Sequence, residues 1–356
     1  MIARLAGRFT FLRAVFHALP LRSSAILALT GFTTLATAMA GLPALAQETR
    51  QRPVEVLASP ILGFRVADNE TRFGALRFVG GLKLESGDKE FGGFSGIRLL
   101  PDRARFVAVT DAGQWLAGTI DRDAAGLPRG LTATMMGPLV PGDASFIERK
   151  RNADCEGIDI DGDLAILSYE RNDRIETWTL ADGVPVAGSA RVLADMKRMR
   201  LATNKGIEAV VRFPTASPHA GKLLAISEES LNRQRNIRAF MLDGQTTAEL
   251  AFVKDGDFAI TDADFLPNGD LLVLERAYSM RKGQAMRLRL VPAAELAEGS
   301  IATGSILLAA DKTYWIDNME GMDVSSDEDG RVHVTLISDD NFSALQRTLL
   351  LEFVLE

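Results

Sequence analysis

The sequence contains one cysteine and three histidines, and these shortages exclude several classes of site. Cys155 has no partner for an intramolecular disulfide, and we interpret it as a buried, inert thiol. The histidines are too few for a histidine-rich zinc site, and they equally disfavour a Ser-His-Asp hydrolase. The chain also lacks a glycine-rich phosphate loop and a dinucleotide-binding fingerprint. Enzymes that depend on those motifs are therefore excluded.

Positive charge is also in short supply. The chain has 40 lysines and arginines against 47 aspartates and glutamates, which gives a net charge of −7. Nucleic-acid binding depends on basic stripes or patches, so this balance argues against it. An acidic protein is instead suited to binding cations.

The N-terminal segment has the pattern of an export signal rather than of folded structure. Four arginines and no acid precede an uncharged stretch at residues 23–46, which ends in Ala44-Leu45-Ala46. Small residues at these positions are what signal peptidase requires. We expect a signal peptide at residues 1–46, cleavage near Ala46 and a periplasmic or secreted mature chain at 47–356; a membrane anchor is the alternative. We expect no stable transmembrane span in the mature chain.

A repeated pattern runs through the rest of the chain. Five segments each have a polar or acidic residue before a small or apolar one, then a turn, then an apolar run that ends in an acid. The first members of the five segments lie roughly 50–60 residues apart, a period that suits one four-stranded propeller blade. These leading positions are Ser95, Glu156, Glu208, Asp262 and Glu320.

The apolar runs predict a single all-β propeller domain. They are short, rich in Val, Ile and Leu, and bounded by turns, as strands buried on both faces are. Outer strands with alternating polarity are predicted between the repeats, at 174–180, 238–242, 286–291 and 349–355. A sixth blade can be assembled from residues 54–64, 72–84 and 348–355, which would join both ends of the chain and close the ring. We therefore predict six blades, with five as the alternative.

Acidic residues recur in phase with this repeat. The leading acids are joined by trailing acids, which end the apolar runs at Asp111, Glu170, Glu228, Glu275 and Asp339. Equivalent positions of different blades lie on a ring around the propeller axis, so these carboxylates are expected to converge. Oxygen ligands in that number favour a hard divalent ion, calcium first. Turn and surface chemistry is the alternative explanation for each acid taken singly.

These residues suggest a metal-dependent hydrolase. The predicted catalytic residues, which are also metal ligands or their supports, are Glu156, Glu208, Asp262 and Glu320. Further predicted metal ligands are Glu170, Glu228 and Asp339. Arg276 and Lys205 are candidate contacts to an anionic small-molecule substrate such as a phosphate ester. Two alternatives remain. One is a lactone or carboxyl-ester hydrolase, supported by Asn204, Asn318 and Asn341. The other is a non-catalytic propeller with a structural metal or a partner-binding surface.

Several short motifs, in this order, resemble the phytase-like family, also called the esterase-like activity of phytase family. They are Gly92-Gly93-Phe94-Ser95-Gly96, Asp154-Cys155-Glu156-Gly157-Ile158, Asn204-Lys205-Gly206-Ile207-Glu208, Leu274-Glu275-Arg276, Asp317-Asn318-Met319-Glu320-Gly321 and Ser338-Asp339-Asp340-Asn341-Phe342. The likeness covers residues 80–356, nearly the whole mature chain. It implies an exported bacterial propeller, and the family's name implies hydrolysis of phosphate esters.

Overall fold

Short apolar runs separated by turns form β-strands throughout the part of the chain that the structure, a computed structural model, describes: residues 51–68, 70–141, 152–244 and 246–356. The first strands are β1 (Arg52–Pro53), β2 (Leu57–Ile61), β3 (Arg72–Phe73), β4 (Leu76–Glu85), β5 (Phe94–Leu99), β6 (Arg105–Thr110), β7 (Gln114–Arg122), β8 (Pro128–Pro138), β9 (Cys155–Asp161), β10 (Leu164–Tyr169), β11 (Arg174–Ala181), β12 (Val184–Pro185) and β13 (Arg191–Asp195). The others are β14 (Ile207–Arg212), β15 (Leu223–Leu231), β16 (Ile237–Asp243), β17 (Thr246–Phe252), β18 (Ala259–Phe265), β19 (Leu271–Ser279), β20 (Gly283–Val291), β21 (Ile301–Ala302), β22 (Ser305–Asp311), β23 (Asn318–Ser326), β24 (Val332–Asp339) and β25 (Thr348–Leu355).

Short 3-10 helices lie between strands at Met196–Met199 and Ala293–Glu295. Among the described residues, no helix is long and apolar enough to cross a membrane. The expected signal peptide lies outside those residues and stays a prediction.

The strands form five sheets, each of which is one propeller blade. From the innermost strand outwards, blade 1 is β5-β6-β7-β8-β1, blade 2 is β9-β10-β11 with β12 and β13, blade 3 is β14-β15-β16-β17-β21, blade 4 is β18-β19-β20-β22, and blade 5 is β23-β24-β25-β4-β2 with β3. The innermost strands β5, β9, β14, β18 and β23 contact one another in that order, and β23 returns to β5. The single all-β propeller is thus confirmed.

The prediction of six blades was wrong, and the alternative of five is correct. The segments assigned to a sixth blade complete the fifth: β25 pairs with β24 on one side and with β4 on the other. Residues 340–347 connect β24 to β25 within that blade. The expected closure of the ring by both ends of the chain is nevertheless present in blade 5, where β4 pairs with β25.

The core lies between blades, which explains why the inner strands are apolar on both faces. Each of five clusters of buried side chains joins two neighbouring blades. In β10, for example, Ala165 and Leu167 pack toward blade 1, whereas Ile166 packs toward blade 3. Alternate residues of a strand point to opposite faces, so a strand between two blades needs apolar residues at every position.

Candidate functional site

A β-bulge interrupts each innermost strand near its start. In every blade, one residue of the innermost strand has no partner in the second strand, while the residues on either side of it pair with consecutive residues there. A bulge leaves an extra residue unpaired and re-aims its side chain, and bulges are common beside active sites. The five bulged residues are Ser95, Glu156, Glu208, Thr261 and Glu320.

Blade 4 departs from the sequence prediction by one residue. Its bulged residue is Thr261, whereas the predicted ligand Asp262 is paired with Leu274 in the ladder. A one-residue shift in a strand turns a side chain to the opposite face. Asp262 consequently binds the Arg98 guanidinium at 2.9 Å and accepts the backbone N–H of Met322 at 2.8 Å. It lies outside the set of described residues that line the central cavity, so we no longer treat Asp262 as a ligand or catalytic residue.

The same shift affects the trailing position. In four blades, the residue just before the bulge pairs with a residue of the second strand, and the trailing acid comes directly after that partner. In blade 4 the residue before the bulge is Ile260 and its partner is Glu275. Arg276, which follows Glu275, is therefore the equivalent of the trailing acids. Glu275 is instead buried against Arg287 and Arg289 of β20. The trailing positions of the five blades are therefore Asp111, Glu170, Glu228, Arg276 and Asp339.

The five trailing residues and all the bulged residues except Thr261 line one cavity of about 890 Å³ at the propeller axis. Among the described residues that line it, nine carry carboxyl groups and four carry cationic side chains. The carboxyl groups belong to Asp111, Asp154, Glu156, Glu170, Glu208, Glu228, Asp317, Glu320 and Asp339, and the cations to Arg171, Arg276, Lys312 and Arg347. The excess of negative charge makes this cavity a site for cations, or for anions accompanied by cations.

A buried arginine blocks the channel further along the inner strands. Arg98 extends from blade 1 to Asp262 and the carbonyl oxygen of Ala263 in blade 4, which is not a neighbouring blade, so its side chain crosses the axis. Its Nε atom also lies 3.7 Å from Asp159 and 3.8 Å from Asp264. The guanidinium therefore offsets part of the negative charge at this level and occupies the axis.

Burial and crowding raise the pKa values of several acids in the cavity. The pKa values of Glu156 and Glu208 lie well above the usual range because burial and neighbouring carboxylates disfavour the charged form. Burial raises the pKa of Glu320 to about 8 even though Arg276 lies 3.0 Å away. Burial, with the nearby charge of Asp111, raises the pKa of Asp339 to about 7. Acids in this state need either protons or a bound cation.

Three of these acids fit a metal ion. Asp154, Glu156 and Glu170 each offer one carboxylate oxygen, and the three oxygens lie within 4.8 Å of one another. We call these residues the acidic triad. Glu156 comes from the bulge, Glu170 from the trailing position, and Asp154 directly precedes β9. A set made only of carboxylate oxygens suits a hard cation such as calcium.

The predicted anion contacts differ in position. Arg276 lines the cavity and bridges two blades, with its Nη2 atom 3.4 Å from Glu228 and its Nε atom 3.0 Å from Glu320. Lys205 forms an ion pair with Glu228 at 2.7 Å and lies outside the lining set of the described chain. Its role as an anion contact therefore has no support from its position.

The sequence analysis did not select Asp154, Lys312, Asp317 or Arg347 as site residues. Asp154 could have been found, because in an extended segment it shares a face with Glu156 two residues later. Lys312, Asp317 and Arg347 come from loops and strand ends of blades 4 and 5, where the repeat gives no signal.

Comparisons with known proteins give one family match. The model of the Phytase-like family, described as "Esterase-like activity of phytase", matches residues 89–342. No curated protein matches the sequence.

Among solved structures, a luciferin-regenerating enzyme is 11% identical, with a TM-score of 0.37 over 75% of this chain and 93% of that one. A PQQ-bound aldose sugar dehydrogenase from Streptomyces coelicolor is also 11% identical, with a TM-score of 0.37 over 85% and 99%. A putative glucose dehydrogenase from Thermus thermophilus is 12% identical, with a TM-score of 0.35 over 77% and 90%.

Proposed function

Since the chain belongs to the phytase-like family, we propose that it is a hydrolase of phosphate esters that depends on a divalent metal, with calcium as the ion that suits its ligands best. The observation that carries this proposal is the acidic triad at the wall of a cavity that also holds Arg171 and Arg276. Such a cavity can accept a cation and a phosphate group together.

Asp154, Glu156 and Glu170 would hold the ion. When bound, a divalent cation neutralises phosphate charge and lowers the pKa of a coordinated water. Arg276 is fixed by carboxylates on both sides, which positions a guanidinium for a phosphate oxygen without further ordering. Glu208, whose pKa is raised by burial and by Glu156, is our candidate for the acid that donates a proton to the leaving-group oxygen.

Hydrolysis of a phosphate monoester, measured on purified protein with chelator and with added calcium, tests the proposal. We expect activity that is lost on chelation, returns with calcium and falls at least tenfold in Glu156→Gln. Glu249→Gln is the matched control, since Glu249 pairs with Arg238 on the outside of blade 3 and lies away from the cavity. Full activity in the presence of chelator would contradict the proposal.

Hydrolysis of lactones or carboxyl esters is the second candidate. Asn204, Asn318 and Asn341 all line the cavity, and their amide oxygens can join carboxylates around a single ion. A panel of lactones, carboxyl esters and phosphate esters separates the two activities. Calcium-dependent thermal stabilisation without turnover of any substrate would instead support a structural metal in a binding protein.

Export is the remaining part of the proposal. We infer a periplasmic or secreted location after cleavage near Ala46, on the pattern of residues 1–46. N-terminal sequencing of the protein recovered from an exporting bacterial host tests it. A mature protein that begins at Gln47 is expected, and retention of the first 46 residues would contradict it.

A further inference from the structure

Arg171 adopts a backbone conformation that is costly for its residue type. It follows Glu170 in the loop between β10 and β11, and its φ is 59°, in the left-handed region. Asparagine tolerates this region better than arginine does, and an asparagine is the next residue in the chain. Strain of this kind persists where surrounding contacts hold it, and it is concentrated at functional sites.

The contacts that hold Arg171 belong to the acidic triad. Its Nε atom lies 2.8 Å from a carboxylate oxygen of Asp154 and 3.9 Å from one of Glu170. Its side chain remains 43% exposed and forms part of the cavity wall. The guanidinium thus offsets part of the negative charge of two of the three acids that would bind a metal ion.

A guanidinium and a divalent ion at the same carboxylates compete for their oxygen atoms and repel each other. Occupation of the triad by a cation would draw on Asp154 and Glu170 and repel the neighbouring guanidinium. Because Arg171 is not buried, it can leave these acids at little cost and offer its N–H donors to an anion in the same cavity. Arg276 differs, because its partners Glu228 and Glu320 lie outside the triad.

We propose that Arg171 couples the two ligands: cation binding at the triad releases it from Asp154, and the released guanidinium binds the anionic group of the substrate. This inference rests on the proposed function and adds a positioning switch to it. Coupling between two binding equilibria is reciprocal, so the anion must tighten cation binding by the same factor.

The test measures binding by titration calorimetry, with calcium and with phenylphosphonate, a phosphate-ester analogue that is not hydrolysed. The variant is Arg171→Asn, which suits the left-handed backbone and removes the charge. Its matched control is Arg235→Asn, because Arg235 has a φ of 63° in an exposed hairpin outside the cavity lining. The control carries the same substitution in the same backbone conformation.

We expect calcium to lower the Kd for phenylphosphonate at least tenfold in the wild type and in Arg235→Asn, but less than threefold in Arg171→Asn. Calcium alone should bind Arg171→Asn several-fold more tightly than the wild type, since a competing cation is gone. A purely structural role would weaken both ligands together.

Weaker calcium binding by Arg171→Asn, or coupling as large as in the wild type, would overturn the inference. Absence of calcium binding by the wild type would overturn it together with the proposed function. Normal coupling in a protein that hydrolyses no phosphate ester would overturn the proposed function alone.

Discussion

Replacing Arg98 with leucine should destabilise the propeller strongly, because it removes the cation that neutralises the blocked end of the channel. The Arg98 side chain is 3% exposed and lies among Asp159, Asp262 and Asp264. Removing one partner of a buried ion pair costs about 3–5 kcal/mol, since the other charge stays buried without compensation. At roughly 2–4 °C per kcal/mol for a chain of this size, Tm should fall by about 6–20 °C.

The loss should depend on pH, with a defined sign. Without Arg98 the pKa values of the buried aspartates rise further, while their values in the unfolded chain stay near 4. The folded variant then holds protons that the unfolded chain has released, so its stability decreases as pH rises above about 4. The deficit relative to the wild type should be largest at neutral pH and should shrink toward pH 4.5.

Urea unfolding of Arg98→Leu at pH 7 and pH 4.5 measures both effects. Arg129→Leu is the matched control, because Arg129 forms an exposed ion pair with Asp123. Exposed pairs contribute about 0–1 kcal/mol. A loss for Arg98→Leu no larger than for the control, or a deficit that grows as pH falls, would refute the argument.

Two further predictions concern the cavity and the packing of the blades. Burial raises the pKa of Glu320 to about 8 and that of Asp339 to about 7, so without metal the folded state binds more protons than the unfolded chain. The free energy of unfolding should therefore fall from pH 5 to pH 8, and calcium should restore it at pH 8. Urea unfolding across this range measures the effect, and a rise in stability with pH would contradict it. Gly157→Ala should destabilise by about 1–3 kcal/mol, because a Cβ there would lie 2.2 Å from the carbonyl oxygen of Glu208 in the next blade. Gly130→Ala, where a Cβ meets nothing within 4 Å, should be close to neutral in the same assay; equal losses for the two would show that the close approach of blades 2 and 3 is not limiting.

The repeat could be predicted from the sequence because each blade needs the same apolar inner hairpin. The number of blades could not, because strands from the two ends of the chain add to a blade already counted. The length of the connections gave no signal either, since six residues, 253–258, are enough to lead from β17 of blade 3 to β18 of blade 4.

The phase of the repeat was ambiguous by one residue in blade 4. Thr261 and Asp262 are both polar, as are Glu275 and Arg276, so the sequence does not show which member of each pair faces the cavity. The position of the bulge at Thr261 decides this, and it is visible only in the structure. The acids of the other blades were placed in the cavity as expected, although their roles as ligands remain predictions. Arg98 gave no signal, because a buried arginine is recognised only from the acids around it in three dimensions.

The central claim is that Asp154, Glu156 and Glu170 hold a hard divalent cation at the propeller axis. Anomalous diffraction from a crystal of the mature protein soaked in manganese chloride, a stand-in for calcium with a measurable signal, tests it most directly. The account predicts one strong peak within about 2.0–2.6 Å of oxygens of all three carboxylates, and loss of that peak in Glu156→Gln. A cavity without a peak, or a peak held by other residues, would contradict it.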